Sequence, residues 1–305
     1  MMTDRSKGII YGCLSGITYG LNPLFALPLY QRGFYVDSVL FYRYAVGVIL
    51  LAAMLFLQKQ TFKLKKNEII PIFSAGIFMT ISSITLFRSY QEMDAGVAST
   101  ILFTAPMFVA VLMTVFFKEK LNLITILSMV IAITGVALLC RDSSGKMLSL
   151  TGIILVIISA LAYALYMVMN KVSPIRNLHP FALTFYSLCA GLPIYLCRLD
   201  FGKALRLPTP DIGWLGYVCI LGIAIFPTVV ALVTVSLSIR LIGATPTAIL
   251  SALEPLTALC IGILVFNEDF SLRLVIGVIL ILTGVLLLVI KPKNKTTLPA
   301  EDTKE

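Results

Sequence analysis

The sequence predicts an all-α membrane protein of ten transmembrane helices, arranged as two inverted five-helix repeats. Three observations carry that expectation. Of 305 residues, 59% are hydrophobic and only 13% charged, with a mean hydropathy of +0.98. A soluble domain carries roughly 25% charged residues, so this chain cannot cover a water-facing surface. The apolar residues fall into ten runs, each near the ~20 residues that one bilayer crossing needs. Finally, one half of the chain repeats the other. Composition alone excludes soluble enzymes, disordered proteins and disulfide scaffolds.

In order, the expected spans are 8–30, 37–57, 69–90, 95–117, 121–140, 150–170, 178–198, 212–238, 243–266 and 271–290. The first follows Arg5 and Lys7, as in a secretory leader. Its apolar stretch is too long and lacks a small-residue cleavage site, so it is expected to be a retained span. The second opens at Asp37 and carries Arg43 inside it, and the third ends near Arg88. The fourth and ninth each hold a central proline, Pro106 and Pro255, and end on a glutamate, Glu119 and Glu268. The seventh opens at His179-Pro180, read as a surface histidine at a helix start, and the eighth is kinked by Pro227. The tail from Lys291 to Glu305 is polar and expected to be disordered. The six cysteines lie in or at the ends of apolar runs without a C-x-x-C pair, which argues against zinc and disulfide frameworks.

The net charge of +9 sets orientation rather than a nucleic-acid partner. With a cytoplasmic N-terminus, the outer loops hold seven cations: Arg32, Arg141, Lys146, Arg198, Lys203, Arg206 and Arg273. Fifteen fall on the inner side, and Arg43 and Arg88 lie within or at the edge of spans. The positive-inside bias therefore places both termini in the cytoplasm.

An ungapped offset of 149 residues lays 85–139 on 234–288, pairing Pro106 with Pro255, Glu119 with Glu268, and Thr134-Gly135-Val136 with Thr283-Gly284-Val285. An offset of 144 lays 8–26 on 152–170, pairing Gly8 with Gly152, Ser15 with Ser159 and Tyr19 with Tyr163. Each unit holds five spans, an odd number, so the second enters the bilayer from the opposite side. Inverted units of this kind build alternating-access transporters with a site near the midplane.

The motifs AGVASTILFTAPMFVAVLMTVFFKEKL with ITGVALL, and GATPTAILSALEPLTALCIGILVFNEDF with LTGVLLL, resemble the EamA family of the drug/metabolite transporter superfamily. The resemblance covers about residues 8–290. It implies a carrier fold whose members move amino acids, other small metabolites or drugs, many of them outward. Tyr19 stands where a Trp often precedes the first-span glycine, here Gly20, a departure from the family pattern.

Within the spans, Gly8, Gly12, Gly16 and Gly20 form a stripe suited to close helix packing. Beside it runs a polar stripe of Tyr11, Ser15, Thr18, Tyr19 and Asn22. The sixth span repeats it as Ser159, Tyr163, Tyr166 and Asn170. A polar face on a membrane helix must turn inward, and its presence in both halves favours a shared cavity over simple interhelical bonds. Pro106 and Pro255 free the carbonyls of Leu102 and Ser251, and are expected to hinge or break helices near the site.

Glu254 lies about 16 Å along its span from Gly243, near the midplane. A buried carboxylate there must be protonated, paired or water-facing. It is a candidate for proton coupling, for pairing a substrate ammonium, or for a neutral structural role. Arg43 is a candidate for binding substrate or a carboxylate, or for snorkelling. The expected substrate-binding set is Ser15, Tyr19, Asn22, Arg43, Ser159, Tyr163, Tyr166, Asn170 and Glu254.

One histidine, no G-x-S-x-G elbow and no P-loop argue against an enzyme or an ATP-driven pump. The expectation is a secondary transporter of small organic solutes in the cell (inner) membrane. It would export amino acids or related metabolites by alternating access. The alternatives are an importer or exchanger of another metabolite or drug, and a non-transporting scaffold or sensor. No cofactor, metal or nucleic acid is expected. The partners are a small-molecule solute and the lipid bilayer, with proton coupling and a homodimer left open.

Overall fold

In the computed structural model, residues 3–59, 63–118, 123–139, 149–200, 205–242, 247, 250–268 and 271–290 are described. Glu119, Gly243 and the tail 291–305 lie outside them. The all-helical expectation holds: the described residues contain no strand. The helices are α1 (Asp4–Gly20), α2 (Asn22–Gln31), α3 (Val36–Leu57), α4 (Lys66–Ser89), α5 (Ala95–Leu102), α6 (Ala105–Phe117) and α7 (Leu123–Leu139). Then follow α8 (Leu150–Val172), α9 (Pro180–Arg198), α10 (Gly213–Ala224), α11 (Ala231–Ile242), α12 (Leu253–Phe266) and α13 (Leu272–Ile290). Among the described residues, seven helical segments are long and apolar enough to cross a membrane, and three shorter apolar helices accompany them.

Proline sets the breaks. A proline removes one backbone donor and clashes with the carbonyl four residues earlier, but is tolerated in a helix's first turn. Thus α1 stops before Leu21, and α2 begins with Pro23 in its first turn. The same happens at Pro106, between α5 and α6, and at Pro255, where α12 follows a turn at Ser251–Ala252. Around Pro227 the chain winds instead as a π-helical turn, Ile225–Val230, which joins α10 to α11.

Small residues bring the helices together, because lipid tails supply no hydrophobic drive between apolar faces. A Cβ added at Gly8, Gly12, Gly16 or Gly20 would meet a neighbouring atom at 2.5, 2.5, 2.9 or 2.5 Å. Those neighbours include Ile242 of α11 and, around the start of α12, Leu250 and Thr257. The repeated Thr-Gly-Val triplets have the same logic where α7 crosses α13. Gly135 is held against the Gly277 carbonyl, 2.7 Å from an added Cβ, and Gly284 against the Ser128 carbonyl, 2.6 Å.

The helices pair across the chain rather than along it. α1 packs on α11 and α12, α4 on α8 and α9, α3 on α9 and α10, α5 on α12 and α8, and α7 on α13. Two serine bonds fasten the α1–α11 and α4–α8 contacts. Ser15 Oγ donates to the Ala231 carbonyl at 3.0 Å, and Ser159 Oγ to the Ser82 carbonyl at 2.8 Å.

At one end of the bundle polar ties close the helix ends on each other. Arg198 grips Asp37 with both Nε and Nη2, at 2.6 and 3.1 Å. Arg32 Nε donates to the Ile212 carbonyl at 3.0 Å. Both oxygens of Glu268 accept backbone N–H bonds from the first turn of α5, at Ala95 (2.7 Å) and Gly96 (3.1 Å). A helix N-terminus is where unpaired donors and a positive dipole end favour a carboxylate.

Candidate functional site

Inside the bundle, the side chains converge on Arg43, which is only 3% exposed. Its guanidinium is held from two other helices by side chains that stand beside prolines. Pro23 frees the Tyr19 carbonyl. Asn22 Nδ2 donates to that carbonyl at 2.9 Å, while Asn22 Oδ1 accepts from Arg43 Nη1 at 3.1 Å. Pro227 likewise frees the Ile223 carbonyl. Thr228 Oγ1 donates to it at 3.0 Å and accepts from Arg43 Nε at 2.8 Å. A π-turn in a membrane helix, common at functional sites, here presents the hydroxyl that orients Arg43. The guanidinium carbon lies 5.3 Å from the centroid of the buried Phe87 ring, a cation–π contact.

Glu254 stands in the first turn of α12, half-buried, where the helix dipole favours an anion. Gly16 and Gly20 of α1 abut its backbone. Arg43 and Glu254 act on one another through space, and Tyr19 feels both charges. Among the described residues, however, Arg43 forms no ion pair.

The tyrosines of the two polar stripes face each other. Tyr163 and Tyr166 stack with ring centroids 6.0 Å apart and planes 22° from parallel. The Tyr163 hydroxyl lies beside that of Tyr19, and Tyr163 also feels Glu254. Tyr166 neighbours Asn170 and Ser187. Several of these polar atoms are buried without a hydrogen bond among the described residues: the Tyr19 hydroxyl, Asn170 Oδ1 and Ser187 Oγ. A buried polar atom left unpaired costs roughly 1–3 kcal/mol, so these atoms call for partners beyond the described residues.

Two residues of the expected set do different work. The hydroxyls of Ser15 and Ser159 are committed to the helix-fastening bonds described above, because each lies where two helices touch. Pro106 and Pro255 stand at helix interruptions, and Glu254 immediately precedes the second. His179 is half-buried: it stacks on Phe181 at 5.2 Å, and its Nδ1 is buried without a partner among the described residues. Among the described residues no cluster of His, Cys, Asp and Glu could hold a metal. Thr228, Phe87 and Ser187 were not singled out by sequence. For Thr228 the available signal was its place directly after a mid-span proline. A separate cavity of about 330 Å³ opens at the tied end, lined by Tyr30, Tyr90, Asp94 and Glu268 among others.

Comparison with known proteins agrees with this architecture. The EamA-like transporter family matches the chain twice, over residues 6–141 and 150–290. An uncharacterised transporter of Bacillus subtilis, YxxF, is 26% identical over 81% of this chain and 78% of its own. An uncharacterised transporter of Archaeoglobus fulgidus is 31% identical over 69% of this chain and 72% of its own. A protein crystal structure superposes with a TM-score of 0.65 over 92% of this chain and 96% of its own, at 14% identity, a likeness of fold alone. With both halves matched and seven helices able to cross a bilayer, the chain is a multi-pass membrane protein that belongs to the EamA-like transporter family.

Proposed function

We propose that this protein is a secondary transporter that exports amino acids or related small metabolites by alternating access about a midplane cavity. In this reading ten spans form two inverted units, 8–140 and 150–290, with both termini and the tail 291–305 in the cytoplasm of the cell. The observation that carries it is an exchange symmetry of the packing. Replacing each span of the first unit by its counterpart in the second turns the α1–α11 contact into α8–α4, and α3–α10 into α9–α4. The contacts α3–α9, α5–α12 and α7–α13 map onto themselves. The two serine bonds obey the same exchange, since Ser159 follows Ser15 by 144 residues and Ala231 follows Ser82 by 149. Two pseudo-equivalent units around a polar centre can repack into a mirror arrangement, which is what alternating access requires.

On the positive-inside orientation, the end closed by Asp37–Arg198 and Glu268 is the outer one. Among the described residues, the unpaired atoms of Asn170, Ser173 and His179 lie on the inner side of the polar centre and that of Tyr195 toward the outer end, so the polar ties at the outer end carry the assignment. The arrangement is thus read as closed outward. Tyr19, Asn22, Tyr163, Tyr166 and Asn170 would line the solute's path and Glu254 would supply charge. Tyrosine suits a solute with an apolar body and a few polar groups. The test compares metabolites in medium and cytosol of cells producing wild type or Glu254→Gln. Export predicts a compound that builds up outside only with wild type, whereas no difference in either compartment contradicts it.

A further inference from the structure

We propose that Arg43 is the carboxylate receptor of the cavity: the transported solute is a zwitterion, its carboxylate on Arg43 and its ammonium toward Glu254. This deepens the carrier reading and rests on it.

The guanidinium is prepared for an anion. Of its five N–H donors, Nε and one on Nη1 are used, by Thr228 and Asn22. The Nη2 group makes no hydrogen bond among the described residues. Both bonded partners are themselves fixed, because each caps a carbonyl that a proline has released, one beside Pro23 and the other beside Pro227. The guanidinium carbon lies over the Phe87 ring, a contact that consumes no donor. A planar fork held in place loses little freedom on binding, and its geometry matches a carboxylate.

The charge balance points the same way. Bringing a guanidinium into a low-dielectric interior costs several kcal/mol unless a counter-charge is in contact. Among the described residues Arg43 forms no ion pair, and Glu254 acts on it only through space. A solute bridging the two would place an anion on Arg43 and a cation on Glu254, and the unpaired Tyr19 hydroxyl would gain a partner. A multiply charged anion such as a phosphate ester would meet the carboxylate of Glu254 and be repelled. An organic cation without a carboxylate would leave Arg43 uncompensated. The stacked Tyr163 and Tyr166 rings offer a surface for the apolar body.

The experiment screens the proteinogenic L-amino acids by thermal shift on the purified full-length protein. It then tests the best stabiliser beside its carboxamide, its decarboxylated amine and its deaminated acid. In the wild type, the carboxamide and the amine should bind about tenfold or more weakly than the amino acid, as expected for loss of charged hydrogen bonds. Arg43→Gln should bind the amine at least as well as the wild type does and lose its preference for the amino acid. Arg43→Lys keeps the charge without the fork and should fall between. Glu254→Gln should instead lose discrimination against the deaminated acid.

The proposal is overturned if no amino acid stabilises the wild type, or if the wild type binds amino acid and carboxamide equally, a result that needs no variant to fold. It is also overturned if folded Arg43 variants weaken the amine as much as the acid, which is the mark of a purely structural arginine. Flux of the same radiolabelled compounds in proteoliposomes separates the two readings. Transport that ignores the carboxylate removes the receptor and leaves the carrier. Selective binding without flux removes the carrier and leaves the receptor.

Discussion

Thr228 shows how one hydroxyl can decide a site. It donates to the carbonyl that Pro227 releases and accepts from Arg43 Nε. Thr228→Val keeps the shape and removes both bonds. It should lower thermal stability by about 1–2 kcal/mol and weaken binding of a carboxylate-bearing solute, measured by thermal unfolding with and without the amino acid. Arg43, Asn22 and Glu254 were legible in the sequence because a charge or amide inside an apolar run is conspicuous and must have a reason. Thr228 was not, because a threonine in a membrane helix ordinarily bonds its own turn, as Thr18 does with Leu14. Ser15 and Ser159 carry the opposite lesson. Matching polar positions in two halves were read as a cavity lining, but a small hydroxyl at a tight crossing serves the backbone of the next helix. His179 gives a pH prediction. Burial, with the positive charge of Arg240, holds its pKa below the ordinary histidine value. The unfolded chain therefore takes up the proton first, so stability falls as the pH drops from about 6.5 toward the depressed folded value. His179→Gln should remove that acid slope from the unfolding temperature measured against pH.

At the scale of helices, the glycine stripe of α1 does what its spacing implies, and the structure adds where it matters. An extra methyl at Gly20 would lie 2.5 Å from Thr257 Cβ and 2.7 Å from the Glu254 carbonyl. Gly20→Ala should therefore push α12 away from α1, costing roughly 1–3 kcal/mol as overpacking does, and blunt transport by displacing Glu254. Gly33, which has φ +77 and no neighbour within 4 Å, should lose stability through backbone strain instead when replaced by alanine. Thermal unfolding and flux measured together separate the two, since only Gly20→Ala should impair flux per folded protein. Proline made helix interruptions legible at 106, 227 and 255. The interruption at Leu21 was hidden because Pro23 falls inside an unbroken apolar run, and hydropathy is blind to a missing N–H. Glu268, just past the end of α12, closes the ninth expected span. The structure identifies what it anchors, the first turn of α5. Glu268→Gln leaves one strong acceptor for two N–H groups, and a loss of about 1–2 kcal/mol in thermal stability is expected.

For the molecule as a whole, the internal repeat made the two-unit organisation readable, since Pro, Glu and Thr-Gly-Val recur at one offset. The helix partners were not readable. In a bilayer every apolar face looks alike, and the most extensive contacts join α7 to α13, α4 to α8 and α1 to α11, far apart in sequence. The central claim is that the end tied by Asp37 and Arg198 must open for a solute to cross. The direct test replaces the native cysteines, introduces Asp37→Cys with Arg198→Cys, and follows counterflow of the amino acid identified by thermal shift in proteoliposomes. Oxidative or bifunctional cross-linking of the pair should abolish exchange, and reduction should restore it. Exchange that continues at full rate with the pair completely cross-linked would contradict alternating access at this end of the molecule.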